Sequence, residues 1–332
     1  MKILLITDNW LPQISGFTRT FSAVIEELER QGDTFEVIHP GHFRSLPCPT
    51  YPEIRLAFTT KRRIAGLIEK VAPDAIHIAI EGPLGLAARG YCLEHSVAFT
   101  TSYTTKWPEY LRARFPVPQR LSYSYLAWFH EPAARCMVAS PSLRKELREK
   151  GFHNLVSWGR GVDTDLFRPR GKDSLSGERP LWMYVGRVAV EKNIRAFLDL
   201  KLEGTKCVIG AGPQLKRLRA EYPDVRFLGA RQGLDLARVY SAADVVVFPS
   251  KTDTFGLVIL EALACGVPVA AYPVTGPIDV IGDSDVGVVA ENLEEAAQKA
   301  LNKSPEACRR YAETFAWSAS AAQFRQGLAP IG

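Results

Sequence analysis

Three segments set glycines, in two of them beside charged side chains, directly after short apolar runs, the place where a parallel sheet presents its ligands. The first is Gly186-Arg187-Val188-Ala189-Val190-Glu191-Lys192-Asn193. A glycine at that point lets the chain turn and approach a ligand closely. Arg187 and Lys192 follow, five residues apart. Two cations fixed on a rigid edge suit a diphosphate, with the guanidinium forking onto two oxygens. Taken alone, a loop of solvated charges is the plainer reading. The second segment is Gly210-Ala211-Gly212-Pro213. Gly210 and Gly212 clear space for a flat or charged group, and Pro213 suits the first turn of a helix whose N-terminus favours anions. An ordinary tight turn explains it equally well. No G-x-G-x-x-G fingerprint follows the first strand, which counts against a nicotinamide-dependent enzyme.

The third segment, Pro249 to Ala262, is the most informative. A polar loop carrying Asp253 leads into an apolar helix expected to start near Phe255, and Glu261 interrupts that helix. A carboxylate in such a helix is costly unless it meets a partner. Asp253 and Glu261 are eight residues apart, up to ~12 Å along a helix axis. That is too far to share a proton, but it spans an extended ligand. The free N–H groups of Phe255, Gly256 and Leu257 would face its diphosphate. A buried Glu paired with an Arg or Lys is the rival reading for Glu261.

These residues need a scaffold, and the hydrophobic pattern supplies one. Short apolar runs alternate with amphipathic stretches throughout, at 2–7, 35–38, 75–78, 97–101 and 136–139, then at 181–185, 207–209, 225–227, 245–248 and 268–271. Such alternation predicts parallel sheets covered by helices on both faces. The polar, Gly- and Pro-containing stretch 168–180 reads as a linker between domains over 1–167 and 181–316. The helical pattern over 311–328 leaves a final helical segment, 317–332, free to cross back to the first domain, which the sequence alone does not decide. At 332 residues and 46% apolar composition, the chain carries material for two cores. No eighteen-residue apolar run predicts a membrane span, and Asp8 breaks the first apolar run too early for a signal peptide. Six scattered cysteines without a CxxC pair read as free thiols of a cytoplasmic protein. A formal charge of +5 tolerates a nucleotide or an anionic membrane surface and does not argue for nucleic acid.

Taken together, the segments resemble the family-4 glycosyltransferases. That family's pattern is G-R-x-x-x-E-K-N, then G-x-G-P, then two acidic residues eight apart in the setting FGLxxLEAxAxGxPV. Gly161–Pro169 and Ser241–Asp244 extend the match, and Glu81-Gly82-Pro83-Leu84-Gly85-Leu86-Ala87 looks like the branch that glycosylates lipids, with its mannosyltransferases and sulfoquinovosyl-diacylglycerol synthases. The resemblance implies the α/β GT-B architecture, two Rossmann-like domains facing a central cleft. It implies retaining transfer of a hexose-type sugar from a UDP- or GDP-sugar, without a metal or other cofactor. Arg187 and Lys192 would stabilise the leaving diphosphate, Glu261 would hold the ribose, and Asp253 with the backbone of 255–257 would address the sugar. Gly186, Gly210 and Gly212 would line the donor site, and Gly16, in the loop 12–16, would let the first domain approach the diphosphate. Two positions depart from the pattern: Asp253 replaces the first Glu, and Thr104 in Ser102-Tyr103-Thr104-Thr105 stands where the family has His. Thr104 is still placed at the reaction centre.

The acceptor side is read from a basic and aromatic stretch, 106–129, in which Lys106, Trp107, Arg112, Arg114 and Arg120 are the candidate contacts. Such a face can rest on an anionic bilayer without spanning it, which predicts a lipid acceptor, such as diacylglycerol, and a peripheral position on the cell membrane. A core-packed helix pair with surface arginines is the competing reading. The DxD pairs at 163/165 and 283/285, the His39/His42 pair and the interrupted His130-Glu131-Pro132 are not assigned as metal sites. A catalytically silent binding partner and a sugar-nucleotide epimerase remain alternatives to the transferase.

Overall fold

The computed structural model describes residues 1–13, 15–48 and 51–331, so residue 14 of the expected glycine loop lies outside the described residues. The chain divides into two compact units. The first comprises Met1–Pro108, Val117–Arg160 and Trp317–Gly332, and the second Glu109–Pro116 and Gly161–Ala316.

In chain order the first unit contains β1 (Lys2–Ile6), α1 (Gly16–Arg30), β2 (Thr34–Ile38), β3 (Ser45–Cys48), β4 (Tyr51–Ala57), α2 (Lys61–Val71), β5 (Ala75–Ile78), α3 (Pro83–Glu94), β6 (Thr100–Tyr103), the start of α4 (Trp107–Arg114), α5 (Gln119–His130), β7 (Arg135–Val138), α6 (Pro141–Glu149) and β8 (Leu155–Ser157). Its main sheet has the order β2-β1-β5-β6-β7-β8, with its neighbouring strands parallel. Alternate residues of β1 feed opposite faces. Leu4 and Ile6 pack with Ile64, Ile68 and Leu84 of α2 and α3. Ile3 and Leu5 pack with Phe21, Val24 and Leu28 of α1 and with Phe324 near the C-terminus.

The second unit contains β9 (Leu181–Val185), α7 (Arg195–Leu198), β10 (Thr205–Ile209), α8 (Leu215–Glu221), β11 (Arg226–Gly229), α9 (Gly233–Ala242), β12 (Val245–Phe248), α10 (Leu257–Ala264), β13 (Val269–Ala271), α11 (Pro277–Val280), β14 (Gly287–Val289), α12 (Leu293–Ala300) and α13 (Pro305–Ala312). Its parallel sheet runs β11-β10-β9-β12-β13-β14. The chain therefore winds outward from β9 to one side and then from β12 to the other. Each sheet is a doubly wound parallel sheet, and the crevice beyond the carboxyl ends of β9 and β12, or of β1 and β5, is where such sheets bind ligands.

Several elements differ from the sequence reading. The edge strands β8 and β14 are three residues long, too short for a periodic signal. The hairpin β3–β4 was not expected. The fourth strand of the first unit runs Thr100–Tyr103 instead of 97–101. Its polar residues are buried because histidines satisfy them: Thr100 and Ser102 bond His77, and Thr101 bonds His130. Helix α10 starts at Leu257, since Gly256 sits in the left-handed region at φ 91° and interrupts the helix there. The stretch 168–180 is no free linker. Lys172 and Arg179 both pair with Asp244, and the Ser174 hydroxyl donates to the Arg238 carbonyl, so it lies along the second unit. The division falls after Arg160 instead, because the Val162 N–H donates to the Phe315 carbonyl and Arg309 donates to the carbonyls of Thr164 and Phe167.

The helical pattern over 311–328 breaks at Ala312 and resumes as α14 (Trp317–Gly327), which belongs to the first unit. One carboxylate secures it. Asp33 accepts from the N-terminal ammonium at 2.9 Å and from Arg325 Nε at 2.7 Å. Burial alone would raise the Asp33 pKa, but the two cations outweigh it and hold it below the usual carboxylate range. A carboxyl depressed in the folded state stabilises the fold above its unfolded pKa, and that contribution is lost as pH falls through the folded value. The melting temperature should therefore drop on acidification below about pH 4. Asp33→Asn should melt lower than the parent at neutral pH and show a shallower acid limb, as thermal melts of both proteins between neutral and strongly acidic pH will report.

Candidate donor-binding site

The two segments that flank the switch point of the second sheet are joined by side chains. After β9 the chain passes Gly186 and Arg187 and makes a short 3-10 turn over Val190–Lys192. After β12 it runs through the loop 249–256 into α10. Lys192 Nζ donates to Asp253 Oδ1 at 2.6 Å and to the Tyr110 hydroxyl at 3.1 Å. Thr252 Oγ1 donates to the Glu191 carbonyl at 2.8 Å, and Asn193 Nδ2 to the Pro249 carbonyl at 3.0 Å. Burial would lower the Lys192 pKa, but Asp253 and Tyr110 beside it raise it overall, so the ammonium stays charged. The second oxygen of Asp253, Oδ2, is buried and has no hydrogen-bond partner among the described residues. A buried carboxylate oxygen left open is costly unless a donor arrives.

Backbone proximity shapes the floor. A Cβ on Gly210 would sit 1.8 Å from the Gly186 carbonyl oxygen, and one on Gly212 would sit 2.4 Å from that of Val188. Side chains at either position would force the ends of β9 and β10 apart. The start of α10 carries no side-chain cap, so the N–H groups at Leu257 and Val258 head the helix, two residues later than expected. Phe255 is buried in the loop, its carbonyl against Gly276. Glu261 is 5% exposed, and Oε2 accepts from the Tyr240 hydroxyl at 2.9 Å. One partner of this helical carboxylate is thus a phenol from α9.

Glu191 is the residue that the sequence reading passed over. Its side chain is fully buried, 2.8 Å from Arg114 Nη2 and 3.7 Å from Arg187 Nε. The signal was its place between the two cations. Its partner lies 77 residues away in the chain, so spacing alone gave no hint of the pair. Tyr110, also on α4, was likewise assigned no donor-side role.

Arg114 is therefore turned inward and is no membrane contact. Lys106 is corrected for the same reason: it is buried and pairs with Glu146 at 2.7 Å. Arg112 and Arg120 are exposed, and Trp107 is half-buried. Thr104 follows β6 directly in the first unit and is half-buried, and Gly16 is the first residue of α1, behind the N-cap Ser15. Asp163 Oδ1 accepts from the N–H groups of Asp165 and Leu166, so the first DxD braces its own turn. Among the described residues no group of three His, Cys, Asp or Glu side chains is gathered as a metal would need.

Known proteins match both units. A model described as Glycosyltransferase Family 4 matches residues 14–166, and one described as Glycosyl transferases group 1 matches residues 179–303. The chain belongs to the family-4 glycosyltransferases. It is 32% identical over 315 residues to the sulfoquinovosyl transferase SQD2 of Arabidopsis thaliana, a match covering 86% of this chain and 62% of the plant protein. The chain thus spans under two thirds of that relative's length. A GDP-mannose-dependent alpha-mannosyltransferase of Corynebacterium glutamicum is 28% identical, with 92% of this chain and 81% of that protein covered. Among solved structures, sucrose-phosphate synthase from Thermosynechococcus elongatus superposes with a TM-score of 0.81 at 21% identity, covering 98% and 97% of the two chains. The two doubly wound units are those of the GT-B fold.

Replacing Glu191 by Gln removes the charge that neutralises Arg114 in a sealed site. Glu191→Gln should lower stability by about 3 kcal/mol, the scale for breaking a buried pair. Urea unfolding at neutral pH measures it, and an unchanged midpoint would show that the pair does not hold α4 to this unit.

Proposed function

We propose that the protein is a retaining glycosyltransferase that moves a hexose-type sugar from a UDP- or GDP-sugar to a hydroxyl of a membrane lipid. One observation carries the donor half of this reading: the Lys192–Asp253 pair at the switch point, with Asp253 Oδ2 buried and open. As the sugar leaves, negative charge grows on the diphosphate. Lys192 and Arg187 are cations fixed beside that position by the turn after β9, and preorganised charge of this kind stabilises a transition state without a metal ion. Asp253 has two tasks. Oδ1 holds Lys192, and Oδ2 accepts a sugar hydroxyl. Gly210 and Gly212 leave room for the nucleotide, the head of α10 faces the phosphates, and Glu261, oriented by Tyr240, takes the ribose. Thr104 takes the family His position in the first unit.

A panel of UDP- and GDP-sugars, with and without lipid, tests the reading. A new glycolipid supports it, donor interconversion without acceptor would indicate an epimerase, and binding with neither product a silent partner. Arg187→Ala and Lys192→Ala should each lower kcat/KM by about 100-fold or more while the fold is kept. Activity at the parental level in either variant would remove that residue from the donor site.

The lipid half of the proposal rests on α5. Leu121, Tyr125 and Trp128 recur at helical spacing and are 65%, 40% and 48% exposed. Arg120 is exposed beside them, and Arg89 stacks 3.9 Å beneath the Trp128 ring. An apolar and aromatic stripe with a basic neighbour suits the interface of an anionic bilayer. No described helix is long and apolar enough to cross a membrane, so attachment is peripheral in this reading. The protein should float with phosphatidylglycerol-containing vesicles, and the double variant Leu121→Ser, Trp128→Ser should stay in the dense fraction. Equal flotation of the two would place the contact elsewhere.

A further inference from the structure

The first unit has its own switch point, between β1 and β5, which pair in register from Ile3↔Ala75 to Ile6↔Ile78. Two carboxylates stand just beyond it: Asp8, two residues past β1, and Glu81, three past β5. Their circumstances differ. Asp8 is buried, and both its oxygens are used: Oδ1 accepts from the Leu84 N–H at 3.0 Å and Oδ2 from the Gly85 N–H at 3.2 Å. It braces the first turn of α3, and a Cβ on Gly82 would lie 2.4 Å from its carboxyl carbon.

Glu81 is held on one side only. Its side chain is 8% exposed, and Oε1 lies 2.9 Å from His130 Nε2. His130 is sealed in turn, with Nδ1 2.8 Å from Thr101 Oγ1. Burial would lower the His130 pKa, but the Cys136 thiol and the Glu81 carboxylate together raise it to about 10, so the imidazole stays protonated beside Glu81. The Tyr125 hydroxyl donates to the Glu81 carbonyl at 2.7 Å, so the backbone here is fixed to the exposed stripe of α5. Glu81 Oε2 takes no hydrogen bond from any described residue, and it is not among the sealed, unpaired polar atoms. A clamped carboxylate thus presents one oxygen, still open, at the ligand-binding end of the sheet.

We propose that Glu81 receives the acceptor, accepting a hydrogen bond from a hydroxyl of an uncharged headgroup, and that His130 is the positioning residue that keeps the carboxylate aimed. The inference rests on the lipid-acceptor reading above. The chemistry selects a neutral hydroxyl because the two carboxylates outnumber His130⁺ and leave a net negative charge that repels a headgroup phosphate, and because a carboxylate accepts hydrogen bonds and donates none. His130⁺ is spent on Oε1.

The test uses the full chain with 1,2-dioctanoylglycerol as the neutral acceptor, dioctanoyl phosphatidylglycerol as the phosphate-bearing one, and donor hydrolysis without acceptor as an independent readout. The wild-type protein should glycosylate the neutral probe in preference. Glu81→Gln should raise the acceptor KM and lower transfer by about 100-fold, with donor hydrolysis and donor affinity unchanged. Glu81→Asp keeps the charge and shortens the reach by one methylene. It should fold and hydrolyse donor like the parent, with an acceptor KM about tenfold higher. His130→Gln should also raise the acceptor KM and spare donor hydrolysis. An unchanged acceptor KM in Glu81→Asp overturns the proposal even if Glu81→Gln is unstable. So does wild-type transfer to the phosphate-bearing probe alone, or to neither probe. If the wild-type chain neither binds nor hydrolyses any nucleotide-sugar, the transferase reading itself fails, an outcome distinct from all of these.

Discussion

The second unit is organised around an ion pair that can form only if two loops, sixty residues apart in sequence, leave adjacent strands at the same height. Lys192 and Asp253 meet at 2.6 Å because β9 and β12 pair directly, Trp182 against Val245 and Met183 against Val246, so the segments that follow emerge side by side. Partial burial makes the contact stronger than a surface pair and makes a mismatch correspondingly expensive. Nearby features serve the same registration. Thr252 and Asn193 tie the two backbones together, and Gly210 lets the end of β10 crowd against Gly186. The fully buried Glu191 draws Arg114 inward. All these contacts are made between the protein's own groups, the arrangement in which fixed charge costs no reorganisation during a reaction.

Much of this was legible in the sequence because its signals are local. Strands β9 and β12 are continuous apolar runs between turn residues, β5 departs from one only at His77, and all three occupy the expected positions. What was hidden depends on contacts between distant residues. Strand β6 reads TTSY, and nothing local says that His77 and His130 will satisfy its hydroxyls in the core. Arg114 and Lys106 look like surface cations in a basic, aromatic stretch, yet each finds a carboxylate far away in the chain and is buried by it. The stretch 168–180 has the composition of a linker, but Asp244 alone gathers two of its cations. Composition reports what a segment can do without partners. It does not report the partners.

The two units use one topology with opposite electrostatics. At the switch point of the second sheet the charged groups are led by Arg187 and Lys192; at that of the first they are Asp8 and Glu81. In the proposed reading, the cations meet a diphosphate and the open carboxylate oxygen accepts from a neutral hydroxyl. Short loops after otherwise similar strands provide that difference, and the cores of the two units need not differ to accommodate it.

The return of α14 has a consequence for the order in which the protein matures. Phe324 is fully buried against Ile3, Leu5, Phe21 and Trp158, and Pro330 bridges to Ala75. The core of the first unit cannot close until α14 has left the ribosome, after the second unit has been made. The second unit, contiguous from 161 to 316 apart from the 109–116 segment, is synthesised in one stretch. The first unit is therefore completed after the second, and a nascent chain stalled anywhere before α14 exposes the apolar face that α14 covers, a surface for chaperones to engage.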